Sequence, residues 1–113
     1  MSKILASTKE RYGILKNFRK YLKNIKSNAI EELKEAQIYL FGSVLEDKLV
    51  AGSDIDVLIV GDIPRSHLKR AEYVANIEEN AGLPMNNPFH IHLIDPEQFK
   101  MWMDIYKLKL ERI

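Results

Sequence analysis

Four residues in the middle of the chain have the types and spacing that phosphate and metal chemistry requires. They lie in the segment FGSVLEDKLVAGSDIDVLIV, where ten residues separate Gly42 and Ser43 from Asp54, and Asp56 follows two residues later. A glycine lets the backbone approach a phosphate closely, and a serine at a helix start offers a hydroxyl and backbone N–H groups to anionic oxygens. Gly42 and Ser43 are therefore predicted to bind the phosphates of a triphosphate.

The two aspartates form the second half of this pattern. Because successive side chains of a strand alternate between its faces, Asp54 and Asp56 are expected to point to the same side. Two neighbouring carboxylates repel each other unless a cation joins them, and their hard oxygen ligands favour Mg²⁺ or Mn²⁺. We predict that these aspartates hold two Mg²⁺ ions and that Ser53 and Lys48 add contacts to the bound phosphates. The alternative is an exposed turn that Asp54 caps.

The segments around this pattern predict a mixed α/β (α+β) fold. Hydrophobic residues at three- and four-residue steps indicate a basic amphipathic helix in residues 1–35, which Ser27 and Asn28 could interrupt. Apolar and aromatic runs predict three strands, and helical spacing after Pro64 and Pro96 predicts two further helices. The strands are residues 37–41, 55–60 and 89–94, and the two helices are residues 64–82 and 96–113. We expect a small mixed sheet with helices packed mainly on one side.

Length and composition limit the class of protein. The chain has 113 residues, of which 46% are hydrophobic and 29% charged, as is typical of one soluble globular domain. We therefore interpret residues 1–113 as a single domain with a motif-bearing core at 37–99. No apolar run approaches the roughly 20 residues that span a bilayer, and no signal-peptide pattern is present, so we expect a cytoplasmic protein without a membrane partner. The absence of cysteine excludes disulfides, thiolate nucleophiles and cysteine-based zinc sites.

Charge is unevenly distributed along the chain. Residues 1–30 carry 8 Lys and Arg against 1 Glu, residues 31–95 carry 5 against 12 acidic residues, and residues 96–113 carry 4 against 3, which together give the net charge of +1. A basic helix over residues 9–26 could bind a polyanion such as RNA. A solvated helix face is the favoured interpretation, so nucleic acid is a less favoured partner.

The motif G-S-x10-D-I-D-V between two strands resembles the nucleotidyltransferase fold of the DNA polymerase beta superfamily, and within it the minimal nucleotidyltransferases. The similarity spans residues 38–99. The resemblance implies that Gly42 and Ser43 hold the phosphates of the nucleotide and that Asp54 and Asp56 bind the metals. It also implies transfer of a nucleoside monophosphate, commonly AMP from ATP, to a hydroxyl, with pyrophosphate leaving. Many members of this minimal group are antitoxins that bind a small helical HEPN-domain toxin and adenylylate it on a tyrosine.

Members of the superfamily carry a third carboxylate on a later strand, beside the first two, where it helps to bind metal or to deprotonate the acceptor. The resemblance assigns no residue of this chain to that position. The matching face of the strand at 89–94 carries His90 and His92 instead, and Asp95 has the opposite parity at the strand end. Because imidazoles titrate near neutrality, His90 or His92 is predicted to take the proton of the acceptor, although nitrogen is a poor ligand for Mg²⁺. The alternative for both is a polar contact on a partly covered sheet. The alternative for the whole protein is a catalytically weak binding module that inhibits a partner by masking it, and a homo-oligomer also stays open.

Overall fold

Three strands that the sequence predicts from their apolar and aromatic composition form the centre of the fold. The computed structural model describes residues 3–46, 49–50 and 52–113. Within these ranges the elements are α1 (Lys3–Lys16), α2 (Phe18–Glu32), β1 (Gln37–Phe41), a 3-10 helix (Gly42–Glu46), β2 (Ile55–Val60), α3 (His67–Asn80), β3 (Phe89–Ile94), α4 (Pro96–Tyr106) and β4 (Glu111–Arg112). The bounds of β1, β2 and β3 confirm the predicted strands.

The four strands form one mixed sheet in the order β3-β2-β1-β4. β1 pairs with β2 and with β4 in antiparallel directions, whereas β2 and β3 are parallel. The parallel pair is connected through α3, as expected because parallel neighbours need a crossover connection. The predicted mixed sheet is therefore confirmed.

Alternation along the strands gives the sheet two different faces. One face carries Ile38, Leu40, Val57, Ile59 and Ile91, which pack in the main core with buried residues of α1, α2 and α3. The other face carries Leu58, Val60 and Ile94, which pack with partly buried residues of α4 such as Phe99 and Trp102. Three helices thus cover one face and α4 covers part of the other, so the helices lie mainly on one side as predicted.

The N-terminal helix is interrupted at Asn17 and not at Ser27 and Asn28, where the sequence left a break open. The Asn17 N–H donates to the carbonyls of Gly13 and Ile14, and the chain then restarts as α2. Ser27 Oγ and Asn28 Nδ2 donate to carbonyls four residues earlier. Their hydrogen bonds are thus made within the helix, which continues through both residues.

The third helix begins later than predicted. Ser66 caps its first turn by accepting a hydrogen bond from the Lys69 N–H, so the helix starts at His67 rather than near Pro64. Gly82, with φ of 76°, follows the C-cap Ala81, so the helix ends at Asn80, two residues before the predicted bound at 82. Leu68, which fits the helical spacing, is exposed in this first turn.

The last helix ends at Tyr106, and the predicted helix from there to residue 113 is wrong. Lys107 caps the helix in the left-handed conformation, with φ of 48° and ψ of 49°. The chain then returns to the sheet, where β4 pairs with β1 and the Ile113 N–H donates to the Ile38 carbonyl. The segment after α4 is therefore part of the sheet and not of a helix.

The helices are 11 to 15 residues long and carry many charged side chains. In the described ranges none of them combines the length and the hydrophobicity needed to cross a membrane.

Candidate functional site

Gly42 brings the end of β1 against the beginning of β2. Its φ of 81° lies in the left-handed region, where side chains are disfavoured. A Cβ atom at Gly42 would lie 2.5 Å from Oδ2 of Asp56, so the carboxylate occupies the space that a side chain would need. Phe41 pairs with Asp56 in the β1–β2 ladder, which fixes this contact at the end of the sheet. Ser43 follows as an exposed residue of the 3-10 helix, and its phosphate contact stays a prediction.

An open cleft of about 320 Å³ lies beside Gly42. Its lining includes Phe41 and Gly42 from the end of β1, and Tyr106, Lys107 and Lys109 from the segment where α4 ends. The lining also contains Glu46, so the two lysines leave the cleft with one net positive charge. Neither lysine is evident from the sequence, because the predicted helix over residues 96–113 includes both positions. A turn signal at Lys107 would have revealed them, but lysine is not a residue type that predicts a left-handed cap.

Asp56, His90 and His92 meet on the side of the sheet that faces α4. The parallel register pairs Asp56 with His90 and Leu58 with His92. Oδ1 of Asp56 lies 3.7 Å from Nδ1 of His90 and 3.6 Å from Nε2 of His92. One ligand atom from each of the three residues lies within 4.8 Å of the other two. The structure thus brings both predicted histidines beside one predicted aspartate, while their catalytic role stays a prediction.

His92 is the more enclosed of the two histidines. Its side chain is 27% exposed and contacts the rings of Phe41 and Trp102, with centroid distances of 5.2 and 6.1 Å. Burial lowers the pKa of His92 and the neighbouring His90 lowers it further, whereas Asp56 acts in the opposite direction. The Nε2 atom is shielded from solvent and has no hydrogen-bond partner among the described residues. An imidazole nitrogen without a hydrogen bond therefore lies beside the carboxylate.

Asp54 is bound by an arginine from the first helix rather than by its neighbours in the motif. The Arg11 guanidinium donates to Oδ1 of Asp54 at 2.9 Å and to the Ser53 carbonyl at 2.7 Å. The hydroxyl of Ser53 accepts a hydrogen bond from the Val50 N–H, so it helps to close the turn before Asp54. Its predicted nucleotide contact is not tested by this geometry. Lys48, the other predicted contact, lies outside the described residues.

Arg11 is the residue of this region that sequence analysis missed entirely. It lies 43 positions before Asp54, and nothing in its local pattern distinguishes it from the other basic residues of the N-terminal segment. Only the packing of α1 against the loop before β2 reveals the contact.

Asp95 has a structural role at the other end of β3. Its carboxylate accepts the Gln98 N–H at 2.8 Å as the N-cap of α4 and also binds Arg65 and Arg70. The backbone hydrogen bond from Gln98 and the two guanidinium groups lower the pKa of Asp95. These contacts engage Asp95 at the end of β3, and it is not a member of the Asp56, His90 and His92 cluster.

The cluster of Asp56, His90 and His92 does not fit the two Mg²⁺ ions that were predicted at Asp54 and Asp56. Mg²⁺ prefers oxygen ligands in octahedral geometry, but the cluster offers one carboxylate and two imidazoles. Asp54 is not a member of that cluster, and one of its oxygens is engaged by Arg11. The described side chains therefore favour a cation that accepts nitrogen ligands.

Comparison with known proteins agrees with the fold. The family described as nucleotidyltransferase domain matches residues 15–112. The crystal structure of a proposed nucleotidyltransferase is 30% identical in sequence, with a TM-score of 0.61 over 81% of this chain and 96% of that chain. A proposed nucleotidyltransferase from Sulfolobus solfataricus is 16% identical, covers 94% of this chain and 84% of its own, and with a TM-score of 0.54 shares the fold.

No curated protein matches the chain. The family match nevertheless covers nearly the whole chain, including the strands and the loop that carry the G-S-x10-D-I-D motif. Members of this family generally use a divalent metal ion and a nucleoside triphosphate. The chain belongs to the nucleotidyltransferase domain family.

Proposed function

We propose that the protein transfers a nucleoside monophosphate, AMP from ATP, to a hydroxyl group of an acceptor. The acceptor oxygen forms a bond to the α-phosphorus, the bond from that phosphorus to the bridging oxygen breaks, and pyrophosphate leaves with the electron pair. The hydroxyl proton is released to the surroundings. Membership of the family supports this class of reaction. The observation that carries the nucleotide site is the cleft at Gly42, which two lysines line and whose glycine lies against the Asp56 carboxylate.

Each part of the cleft has a separate role in this proposal. Gly42 has no side chain that would keep a phosphate away from the backbone, and Ser43 offers a hydroxyl next to it. Lys107 and Lys109 balance the negative charge of the triphosphate and attract it to the cleft. Asp56 adjoins both Gly42 and the two histidines, so the phosphate to be transferred would lie at that end.

The decisive test is the transfer rate of the variant Asp56→Asn. We expect a loss of at least about 100-fold, because the variant removes a charged group from the reacting centre. The assay contains ATP with either Mg²⁺ or Mn²⁺ and follows pyrophosphate release and the intact mass of the acceptor. Asp62→Asn is the matched control, because Asp62 is an exposed aspartate just beyond the other end of β2. Unchanged transfer in Asp56→Asn, or an equal loss in both folded variants, would contradict the proposal.

The lysines can be tested separately from the reaction step. Replacing Lys107 and Lys109 together by alanine should raise KM for ATP by about 10-fold, since two charge-assisted contacts to phosphate are lost. Lys100→Ala is the control, because Lys100 is an exposed lysine of α4 that does not line the cleft. An unchanged KM in the double variant would show that the nucleotide lies elsewhere.

As acceptor we propose a tyrosine of a small helical partner of the HEPN type. The resemblance to minimal nucleotidyltransferases suggests this partner, and α4 offers three exposed large hydrophobic residues, Met101, Ile105 and Tyr106, that a helical partner could cover. Co-expression followed by intact mass measurement tests the proposal. The partner should gain one or more AMP units with the wild type and none with Asp56→Asn.

A second candidate function is inhibition of a partner by masking alone. Two observations favour it: Arg11 engages Asp54, and histidines occupy the strand face where superfamily members carry a third carboxylate. Masking predicts that inhibition of the partner persists without ATP and in Asp56→Asn. Transfer predicts that inhibition is lost in both conditions.

A further inference from the structure

The distances from the Asp56 carboxylate to His90 and His92 are close to those between ligands of one ion. The separations of 3.6 and 3.7 Å between the carboxylate oxygen and the imidazole nitrogens are too long for hydrogen bonds. Ligand atoms about 2.1 Å from a tetrahedrally coordinated ion lie about 3.4 Å from one another. The two imidazole nitrogens therefore lie from the carboxylate oxygen at nearly the spacing that a bound ion requires, and they lie within 4.8 Å of each other.

The surroundings of the cluster also suit an ion. His92 Nε2 is shielded from water and lacks a hydrogen-bond partner among the described residues, which is costly for a polar atom unless another ligand satisfies it. Phe41 and Trp102 enclose this histidine, whereas the side chain of His90 is 64% exposed. An ion could therefore enter beside His90 and keep a coordination position open to solvent or substrate.

We propose that Asp56, His90 and His92 form a binding site for one divalent transition-metal ion. Two imidazoles and one carboxylate are a donor set for ions such as Zn²⁺ and Co²⁺, and nitrogen donors discriminate against Mg²⁺. Affinity should follow the order Zn²⁺ and Co²⁺ above Mn²⁺, with Mg²⁺ weakest. The strands β2 and β3 supply all three ligands, so the backbone register fixes their relative positions.

The proposed ion site lies within the site of the proposed transfer reaction, but it is supported by the geometry of its three ligand residues and not by that reaction. In this role the imidazole nitrogens bind the ion and are not available to take the acceptor's proton. Transition-metal binding would give the site a Lewis acid beside the cleft at Gly42, at the position where superfamily members place a third carboxylate. Binding can be measured without ATP or acceptor.

The experiment is a Co²⁺ titration of the full chain without an affinity tag, after removal of metals with a chelator. We expect visible absorption bands of protein-bound Co²⁺ that saturate at one ion per chain, that one equivalent of Zn²⁺ removes, and that excess Mg²⁺ leaves unchanged. His92→Ala and His90→Ala each remove a direct ligand, so each should weaken Co²⁺ binding by more than the roughly 10–100-fold that loss of an outer-shell partner costs. His90→Ala is the safer variant for folding, because its side chain is largely exposed.

The third histidine of the chain provides the matched control. His67 is exposed at the start of α3 and lies outside the cluster, so His67→Ala should bind Co²⁺ like the wild type. A folded wild type without the absorption bands would overturn the inference, as would binding that survives both His90→Ala and His92→Ala. Transfer that depends on Asp56 and Mg²⁺ in a protein without Co²⁺ binding would leave the proposed function standing. Co²⁺ binding without any transfer would instead remove the proposed function alone.

Discussion

At Gly42 a carboxylate lies where a side chain would have to be. The residue combines a left-handed φ with the close approach of Asp56, whereas Gly82 has a similar φ of 76° and nothing within 4 Å of the position that a Cβ atom would take. The two glycines therefore separate the cost of backbone strain from the cost of a collision with the site.

We expect Gly82→Ala to destabilise the protein by about 1 kcal/mol, the usual cost of alanine in the left-handed region. Gly42→Ala should cost at least about 2 kcal/mol, because the Asp56 carboxylate must also move. Urea unfolding measures both free energies. Gly42→Ala should in addition weaken ATP binding, and Gly82→Ala should leave it unchanged. Equal destabilisation by the two substitutions would mean that the Asp56 carboxylate can move away from a side chain at position 42 without loss of stability.

The contact between Arg11 and Asp54 is also a matter of single residues. Asp54 is 63% exposed, so a double-mutant cycle with Arg11→Ala and Asp54→Asn should give a coupling of only about 0.5–1 kcal/mol. Arg11→Ala should cost more than Asp54→Asn, since it also leaves the Ser53 carbonyl without its donor. Urea unfolding at low and high salt measures the cycle. A coupling that does not fall with salt would contradict this assignment.

At the scale of single residues, the sequence predicts the site only where side chains alternate along a strand. The alternation of strand side chains correctly places His90 and His92 on the same face as Asp56. It cannot reveal Arg11 or Lys107, because their positions depend on how a helix packs and where another helix ends. Contacts between distant parts of the chain have no signature in local spacing.

At the scale of elements, Asp95 joins three parts of the fold. It follows β3, caps α4, and binds Arg65 and Arg70 from the region where α3 begins. Because its folded-state pKa is lowered, the ionised form stabilises the fold at pH values above the ordinary value for aspartate, about 3.9, and that stability is lost as the pH falls through the lowered pKa.

We expect Asp95→Ala to lower the free energy of unfolding by about 1–2 kcal/mol near neutral pH, because the helix loses its cap. Asp95→Asn keeps an oxygen that can cap the helix, so it should destabilise the protein less than Asp95→Ala does. Its remaining cost comes from the loss of the two ion pairs. The difference between wild type and Asp95→Asn should shrink as the pH falls below about 4. Thermal unfolding across this pH range measures the effect, and a difference that grows on acidification would refute it.

The elements themselves were predictable to different extents. Strands β1, β2 and β3 follow from dense apolar and aromatic runs, and the start of α4 follows from Pro96 and the helical spacing after it. The break at Asn17 was missed, because its flanks continue the helical spacing. β4 was missed because two polar residues carry no strand pattern and are ordered only by pairing with β1.

At the scale of the whole molecule, the fold itself balances part of the uneven charge. Arg11 pairs with Asp54 from the acidic middle of the sequence, and Arg19 pairs with Glu111 of β4. The lysines of α2 that face solvent fit the favoured interpretation of a solvated helix face. RNA binding by this helix stays an untested alternative, whose mark would be an affinity that falls steeply with salt.

The short strand β4 has a consequence for solubility. It covers the outer edge of β1, whose sequence QIYLF has no charge and a strong tendency to form β-structure. Removal of residues 108–113 would expose the unpaired N–H and C=O groups of that edge to other chains. We expect the shortened protein to aggregate at concentrations where the full chain stays monodisperse, as measured by light scattering.

Arg19→Ala is the control for this truncation, because it removes the ion pair to Glu111 but leaves β4 in place. It should scatter light like the wild type. If the shortened chain also stays monodisperse, the edge of β1 is harmless without its cover. If the shortened chain aggregates, the two paired residues of β4 are what prevents the edge of β1 from pairing with a strand of another molecule.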